Sequence, residues 1–352
     1  MPRGEPKGEC TCAGEGPRIW ASCVRMRGQV DAARGIAGCV VAFALGCAAS
    51  SASRRDAAAI GAGGAELRVL GTAQDGGLPH AACTCDRCEA ARRDPARARR
   101  VAALALVTAD GVRLVDATPD LPAQLHALAD VRKPVRGSVD RTPIDGILLT
   151  NAHVGHYLGL AWLGFEAIAA EGVPVHASAK MGAYLRGSGP WSQLVTQHDI
   201  VLHELVPGVG VKFADVEVVP FLVPHRDEFS DTLGFRFVGP RATVVYVPDT
   251  EPWSRWPHAT IEDELRDVDV ALLDGSFYSP DELPGRPVES IGHPLMTDTM
   301  DRLAPLVRTG ELRVFFTHMN HSNPALAPDS PERAEIERRG FAVLSDGDRF
   351  AL

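Results

Sequence analysis

The sequence predicts a layered α/β fold, and two features carry that expectation. From Glu66 onward, short apolar runs that read as strands alternate with segments that read as helices, with no second linker between them. Several of those runs end in a loop with a histidine or carboxylate at its tip, and layered α/β folds collect their sites at strand ends. A chain of 352 residues suits one large globular domain, or one domain with an appendage.

Each element has its own signal. Residues 67–72 (LRVLGT) form a short strand that runs into a glycine-rich loop, AQDGGLP. Residues 101–108 and 112–116 read as strands around the turn Asp110-Gly111. Residues 120–130 are helix-like, and 144–149 form a buried strand. The segment 156–171 reads as a helix packed through Leu158, Leu160, Leu163 and Phe165, followed by a strand at 173–176. Farther on, 216–223, 232–237 and 243–247 read as strands, 261–266 as a helix, and 268–273 as a strand ending at Asp274. Residues 312–316 form a strand ending in Thr317-His318, and 342–344 and 349–352 flank the turn Asp346-Gly347. The chain shows no internal repeat.

Residues 1–65 read as a leader outside the folded domain, which is expected to span 66–352. Within the leader, residues 36–46 (IAGCVVAFALG) are apolar, follow Arg27 and Arg34, and precede Cys47 and a small polar tract. The run is too short to span a bilayer and has the form of a signal-peptide core. Small residues before Cys47 resemble a loose lipobox, with Ala44 where leucine is usual, so export and a lipid anchor through Cys47 are expected. Met26 is a natural start for such a signal. Without a working signal, the chain would stay in the cytoplasm.

Composition excludes one class of partner. A formal net charge of −9 and 6% aromatic residues fit neither a nonspecific grip on nucleic acid nor base-stacking platforms. The expected partner is a small-molecule substrate, and the sequence says nothing of oligomeric state.

Polar residues at strand ends supply the chemistry. His153 and His156 follow Ile147-Leu148-Leu149 in LLTNAHVGHYLGL, His225 follows Phe221-Leu222-Val223-Pro224, Asp249 follows the strand ending at Val247, and His318 and His321 follow Phe316-Thr317. Imidazole nitrogens and carboxylate oxygens are ligands that zinc, iron and manganese accept. A single histidine at a strand end is most often a hydrogen-bonded surface residue. Four such ends in one chain make a metal site the better account, whereas His126, His176, His198, His203 and His258 lack that setting.

This arrangement resembles the metallo-β-lactamase superfamily, whose fold is a four-layer αββα sandwich with metals at one edge. The family motif Thr-His-x-His-x-Asp-His corresponds to Thr150, Asn151, Ala152, His153, Val154, Gly155 and His156, with Gly159 following. The resemblance implies that His225 is the third-motif ligand, Asp249 the bridging carboxylate and His318 the fifth-motif ligand. It covers roughly residues 66–352.

The eight cysteines all lie before residue 89, and Cys83, Cys85 and Cys88 form a C-x-C-x2-C cluster behind Gly71–Pro79. Three thiolates at that spacing suit a tetrahedral metal that needs a fourth ligand, in preference to a strained C-x-C disulfide. The same opening resembles two branches of the superfamily, the phosphonate-metabolism cyclic phosphodiesterases and the coenzyme PQQ biosynthesis protein B proteins. The first resemblance implies one structural zinc held by Cys83, Cys85, Cys88 and His321, and a histidine that assists the leaving group, for which His293 is the candidate. The tail His318–Pro324 and the segment Trp191–Val195 lean toward the second branch.

The departures raise the number of metals as a question. By the resemblance, one position keeps His153, His225 and Asp249, and the other keeps His156, Asp249 and His318. Asn151 offers only a neutral carbonyl oxygen and Gly155 offers nothing, so each position loses one ligand and the sequence does not say which survives. Asp75, in the glycine-rich loop, is the better candidate substitute, and Asp227 the other.

Three readings follow. The first is a hydrolase of a phosphodiester or ester-like bond, using one or two zinc, manganese or iron ions to generate a hydroxide nucleophile. The second is an iron-dependent redox or oxygenase-type enzyme, as the PQQ-protein resemblance implies. The third is a non-catalytic binding protein that retains only a structural zinc. The surviving ligands argue against the third, and export argues against a cytoplasmic biosynthetic role, which puts the hydrolase first.

Overall fold

The computed structural model describes residues 64–256, 260–287 and 290–352. The expected leader with Cys47 lies outside these residues, except for Gly64 and Ala65, and so does His258. No helix among the described residues is long and apolar enough to cross a membrane.

Among the described residues, fourteen strands form two mixed sheets. The first sheet contains β1 (Glu66–Gly71), β2 (Ala103–Thr108), β3 (Gly111–Val115), β4 (Gly146–Leu148), β5 (Val173–Ala177) and β6 (Ile200–Glu204). The second contains β7 (Val211–Phe213), β8 (Val216–Val223), β9 (Thr232–Val238), β10 (Thr243–Val247), β11 (Val270–Asp274), β12 (Arg313–Thr317) and β13 (Ala342–Val343). The last strand, β14 (Arg349–Ala351), returns to the first sheet and gives the orders β14-β1-β2-β3-β4-β5-β6 and β13-β12-β11-β10-β9-β8-β7. The strands from β3 to β6 run parallel, as do those from β10 to β13.

Strand periodicity builds the layers. Alternate side chains face opposite sides of a sheet. In β2, Leu104 and Leu106 pack between the sheets, while Ala103 and Ala105 face the outer helices. In β10, Val244 and Tyr246 point inward to the same inter-sheet core, while Val245 and Val247 face outward. Both faces are buried, which is why these strands read as unbroken apolar runs.

Helices cover both outer faces. On the first sheet lie α2 (Leu121–Ala127), α3 (Val154–Tyr157), α4 (Ala179–Gly187) and α5 (Trp191–Thr196), joined to the core through Leu121, Tyr157, Leu185 and Leu194. On the second lie α1 (Asp86–Arg93), α6 (Ile261–Glu264), α7 (Met296–Thr309) and α8 (Pro331–Arg338), packed through Cys88, Ile261, Met300 and Ile336. This is the expected αββα sandwich.

One local expectation changes. The helix expected over 156–171 is one short α-helical turn, α3, followed by a 3₁₀ segment that ends at Leu163. At Gly159 in this segment the backbone packs so closely that a Cβ would lie 2.1 Å from the Thr118 carbonyl oxygen. Leu160 and Leu163 are buried, but Leu158 and Phe165 are exposed rather than packed. The strands flanking Asp346-Gly347 do not pair with each other. β13 ends in the second sheet and β14 begins in the first, so the turn carries the chain across the sandwich.

Candidate metal centre

Strand ends from both sheets meet at one edge. The loop after β1 brings Asp75, and β3 is followed by Asp116. The loop after β4 carries Asn151, His153 and His156, and β8 leads to His225. β10 leads to Asp249, β11 ends at Asp274, and β12 is followed by His318.

Asp249 sits at the centre. Its Oδ2 is 3.0 Å from His225 Nε2, 3.4 Å from His153 Nδ1 and 3.6 Å from His156 Nε2. His225 Nε2 is also 3.2 Å from His153 Nδ1, so these two histidines and Asp249 form one tight triangle. A second group lies beside it, with Asp75 Oδ1 3.7 Å from His156 Nε2 and 3.8 Å from His318 Nε2. Ligands about 2.1 Å from a tetrahedral ion lie about 3.4 Å from one another, so both groups have the spacing of a first coordination shell.

The donor set passes a second test. Asp75 Oδ1, His156 Nε2, His318 Nε2 and Asp249 Oδ1 are all buried and have no hydrogen-bond partner. Buried polar atoms are ordinarily paired, so four orphans aimed at one space fit a cation there.

The structure brings His153, His156, His225, Asp249, His318, Asp75 and His293 together at this edge. Asp227 is not among them. It is exposed and pairs with Lys180 at 3.4 Å. Asn151 is no ligand either. Its Oδ1 accepts from the His153 backbone N–H at 2.8 Å, and its Nδ2 donates to Asp249 Oδ2 at 3.1 Å.

Two carboxylates had no assigned role. Asp116 Oδ2 is 2.7 Å from His156 Nδ1, and Asp116 also accepts from the Thr150 N–H and hydroxyl. Asp274 Oδ2 lies 2.9 Å from His293 Nδ1. Such partners fix a histidine's orientation and tautomer. Both follow apolar strands just as Asp249 does, and that position was the available signal. Asp116 and His318 both adopt a left-handed backbone, with φ of 71° and 56°, the kind of local strain that concentrates at functional sites.

Electrostatics follow from this crowding. Burial works to lower the basicity of His156, but Asp116, Asp249 and Asp75 outweigh it and raise its pKa to about 9. Burial also opposes the charge on His293, and Asp274, Asp249 and Asp75 likewise raise it to about 9. Asp75 is held down to about 2, with His318 and His156 overcoming its burial. A divalent cation in the same space would favour neutral imidazoles and ionised carboxylates.

The cysteine cluster forms a separate group. Cys83, Cys85 and Cys88 carry free thiols whose sulfurs lie 3.6, 3.9 and 3.7 Å from His321 Nδ1. Zinc–sulfur and zinc–nitrogen bonds of about 2.3 and 2.1 Å at a tetrahedral angle place sulfur and nitrogen about 3.6 Å apart. Arg87 donates to the His321 and Ser322 carbonyls and ties α1 to the loop after β12. His80, which sequence reasoning passed over, packs its ring 4.5 Å from that of His321. The short segment from His318 to His321 thus joins the two centres.

Fold and site together define a metallo-β-lactamase-fold protein, a two-sheet sandwich with histidines and carboxylates gathered along one edge. The chain belongs to the beta-lactamase superfamily, and residues 113–319 match the family described as Beta-lactamase superfamily domain. Its relatives include coenzyme PQQ synthesis protein B of Bradyrhizobium diazoefficiens, 30% identical over 320 residues that cover 81% of this chain and 98% of the relative. The Cupriavidus necator protein of the same name is 29% identical and covers 81% of this chain and 99% of its own. Zinc-bound PqqB from Methylobacterium extorquens superposes with a TM-score of 0.69 at 24% identity, covering 82% of this chain and all of that one. A diphosphatase of the PhnP family gives 0.58 at 23% identity, covering 82% and 97%. At these identities the two structures bear on the fold alone.

Proposed function

We propose that this protein is a metal-dependent hydrolase that acts on a phosphodiester or ester-like bond of a small molecule. The observation that carries the reading is the seat of His293. Its Nδ1 faces Asp274 at 2.9 Å and Asp249 at 3.4 Å, and its ring lies 6.0 Å from that of His318. Metal ions held here would lower the pKa of water and offset negative charge that develops on the substrate. Asp274 fixes the His293 imidazole, which leaves Nε2 as the atom that exchanges a proton. That nitrogen is 3.3 Å from the Gln74 amide, a polar contact that a leaving-group oxygen would replace. Asn151 keeps Asp249 oriented through its amide N–H.

One observation favours a redox alternative. His153, His225 and Asp249 form a two-histidine, one-carboxylate set, which suits iron(II) as well as zinc, and the sequence relatives are PQQ synthesis proteins. Metal analysis of anaerobically purified full chain, combined with hydrolysis of bis(p-nitrophenyl) phosphate and p-nitrophenyl acetate, separates the readings. Two or three zinc per chain with metal-dependent turnover supports the hydrolase. One zinc and one iron without turnover supports the redox enzyme. For localisation, the leader supports an exported chain acylated at Cys47. Loss of palmitate labelling in Cys47→Ala, with labelling of the parent chain, is the expected result.

A further inference from the structure

Gly155 occupies the position at which the family motif carries an aspartate, and the structure shows what fills the gap. A Cβ built at Gly155 would lie 2.1 Å from Asp75 Oδ1 and 2.8 Å from Asp75 Cα. The Asp75 carboxylate, arriving from the loop after β1, therefore stands in the space that a side chain at position 155 would use. A carboxylate on either loop could reach the ion, but the two cannot be present together.

The lost histidine has no such replacement. Asn151 spends both ends of its amide within the protein, one on the His153 backbone and one on Asp249. The two losses that look symmetric in the sequence are thus unequal in the structure. One position has Asp75, His156 and His318, with Asp249 Oδ2 3.6 Å from His156 Nε2 as a fourth donor. The other has His153, His225 and the same Asp249.

Support around the ligands is unequal in the same direction. His156 Nδ1 is held by Asp116 at 2.7 Å, and His318 Nδ1 by the Ser276 hydroxyl at 3.1 Å. On the other side, His225 Nδ1 is buried without a partner, and His153 Nε2 faces half-exposed Glu228 at 3.4 Å. Partners on the far ring nitrogen raise metal affinity by fixing the ligand and its tautomer.

We propose that Asp75 is a relocated metal ligand, and that it makes the Asp75–His156–His318 position the tight one while the His153–His225 position holds a second ion weakly and exchangeably. This deepens the hydrolase reading and rests on the same site, but its test reads metal retention and not turnover. A chain that binds metal as described and hydrolyses nothing would overturn the hydrolase and leave this proposal standing.

The experiment strips the full chain of metal, restores one zinc to the cysteine cluster, and titrates with cobalt(II) or zinc against a chromogenic chelator. Two sequential steps are expected, the first about 10–100-fold tighter than the second. Asp75→Asn, which preserves volume, should abolish the tight step, whereas His225→Gln should remove only the weak one. Gly155→Asp alone should lose the tight step through collision with Asp75, and Asp75→Gly combined with Gly155→Asp should recover it. Circular dichroism checks that each variant is folded. Two equal steps in the parent chain, full tight binding in Asp75→Asn, or loss of the tight step in His225→Gln would each overturn the proposal.

Discussion

Asp116 Oδ2 lies 2.7 Å from His156 Nδ1, and both side chains are completely buried. The carboxylate fixes the ring so that Nε2 faces the metal position, and it also accepts from the Thr150 backbone. Asp116→Ala should weaken metal binding at His156 by about 10–100-fold. It also leaves the Thr150 N–H without its partner, at about 1–3 kcal/mol of stability. Chelator competition and urea denaturation measure the two effects separately.

His293 is expected to act on the reaction, with its Nδ1 held by Asp274 at 2.9 Å and facing Asp249 at 3.4 Å. If the hydrolase reading holds, His293→Gln should reduce kcat by about 10²–10⁴-fold at unchanged metal content. Unchanged kcat would remove His293 as the proton donor.

Gly159 tests the packing under the site. Its would-be Cβ meets the carbonyl oxygens of Thr118 at 2.1 Å and Ala117 at 2.8 Å, both of them backbone atoms that cannot turn aside. Gly159→Ala should destabilise the fold by about 1–3 kcal/mol, read from the urea midpoint.

The cysteine cluster should bear on stability and not on turnover. Cys88 is buried in the outer core of the second sheet, and its sulfur is 3.7 Å from His321 Nδ1. Cys88→Ser should lose one zinc per chain and lower Tm, since a structural zinc couples binding to folding. Retention of that zinc would sink the assignment.

His176 gives a pH dependence away from the metals. Burial, His203 and Arg113 depress its pKa from 6.5 to about 4. The unfolded chain therefore binds a proton here before the folded one does. This contribution is intact above about pH 6.5 and is lost as the pH falls from there toward 4. His176→Gln should show a shallower fall in stability across that window, measured by urea denaturation at each pH against the parent chain.

Much of this was legible in the residues. Apolar runs located most of the strands because both faces of each sheet are buried. Imidazoles and carboxylates behind those runs marked His153, His156, His225, Asp249 and His318 as a group. The C-x-C-x2-C spacing marked three thiols that gather just before and within the first turn of α1, with Cys85 as its N-cap. Weaker local signals left α1, α4, α5, α7, α8, β6 and β7 unread, since their helical and strand patterns are short or interrupted, as by Pro305 within α7.

By itself the sequence determined the layered fold and the chemical kind of the site, because side-chain periodicity and ligand chemistry are properties of short segments. Only the tertiary structure decided which lost ligand is replaced. Asp75 meets Gly155 because β1 and β4 lie in one sheet with their loops on the same edge. Asp116 meets His156 across 40 residues for the same reason. A motif read along the chain shows Asn151 and Gly155 as equal losses. Strand order and register place a second carboxylate in one gap and only a hydrogen-bonded amide in the other.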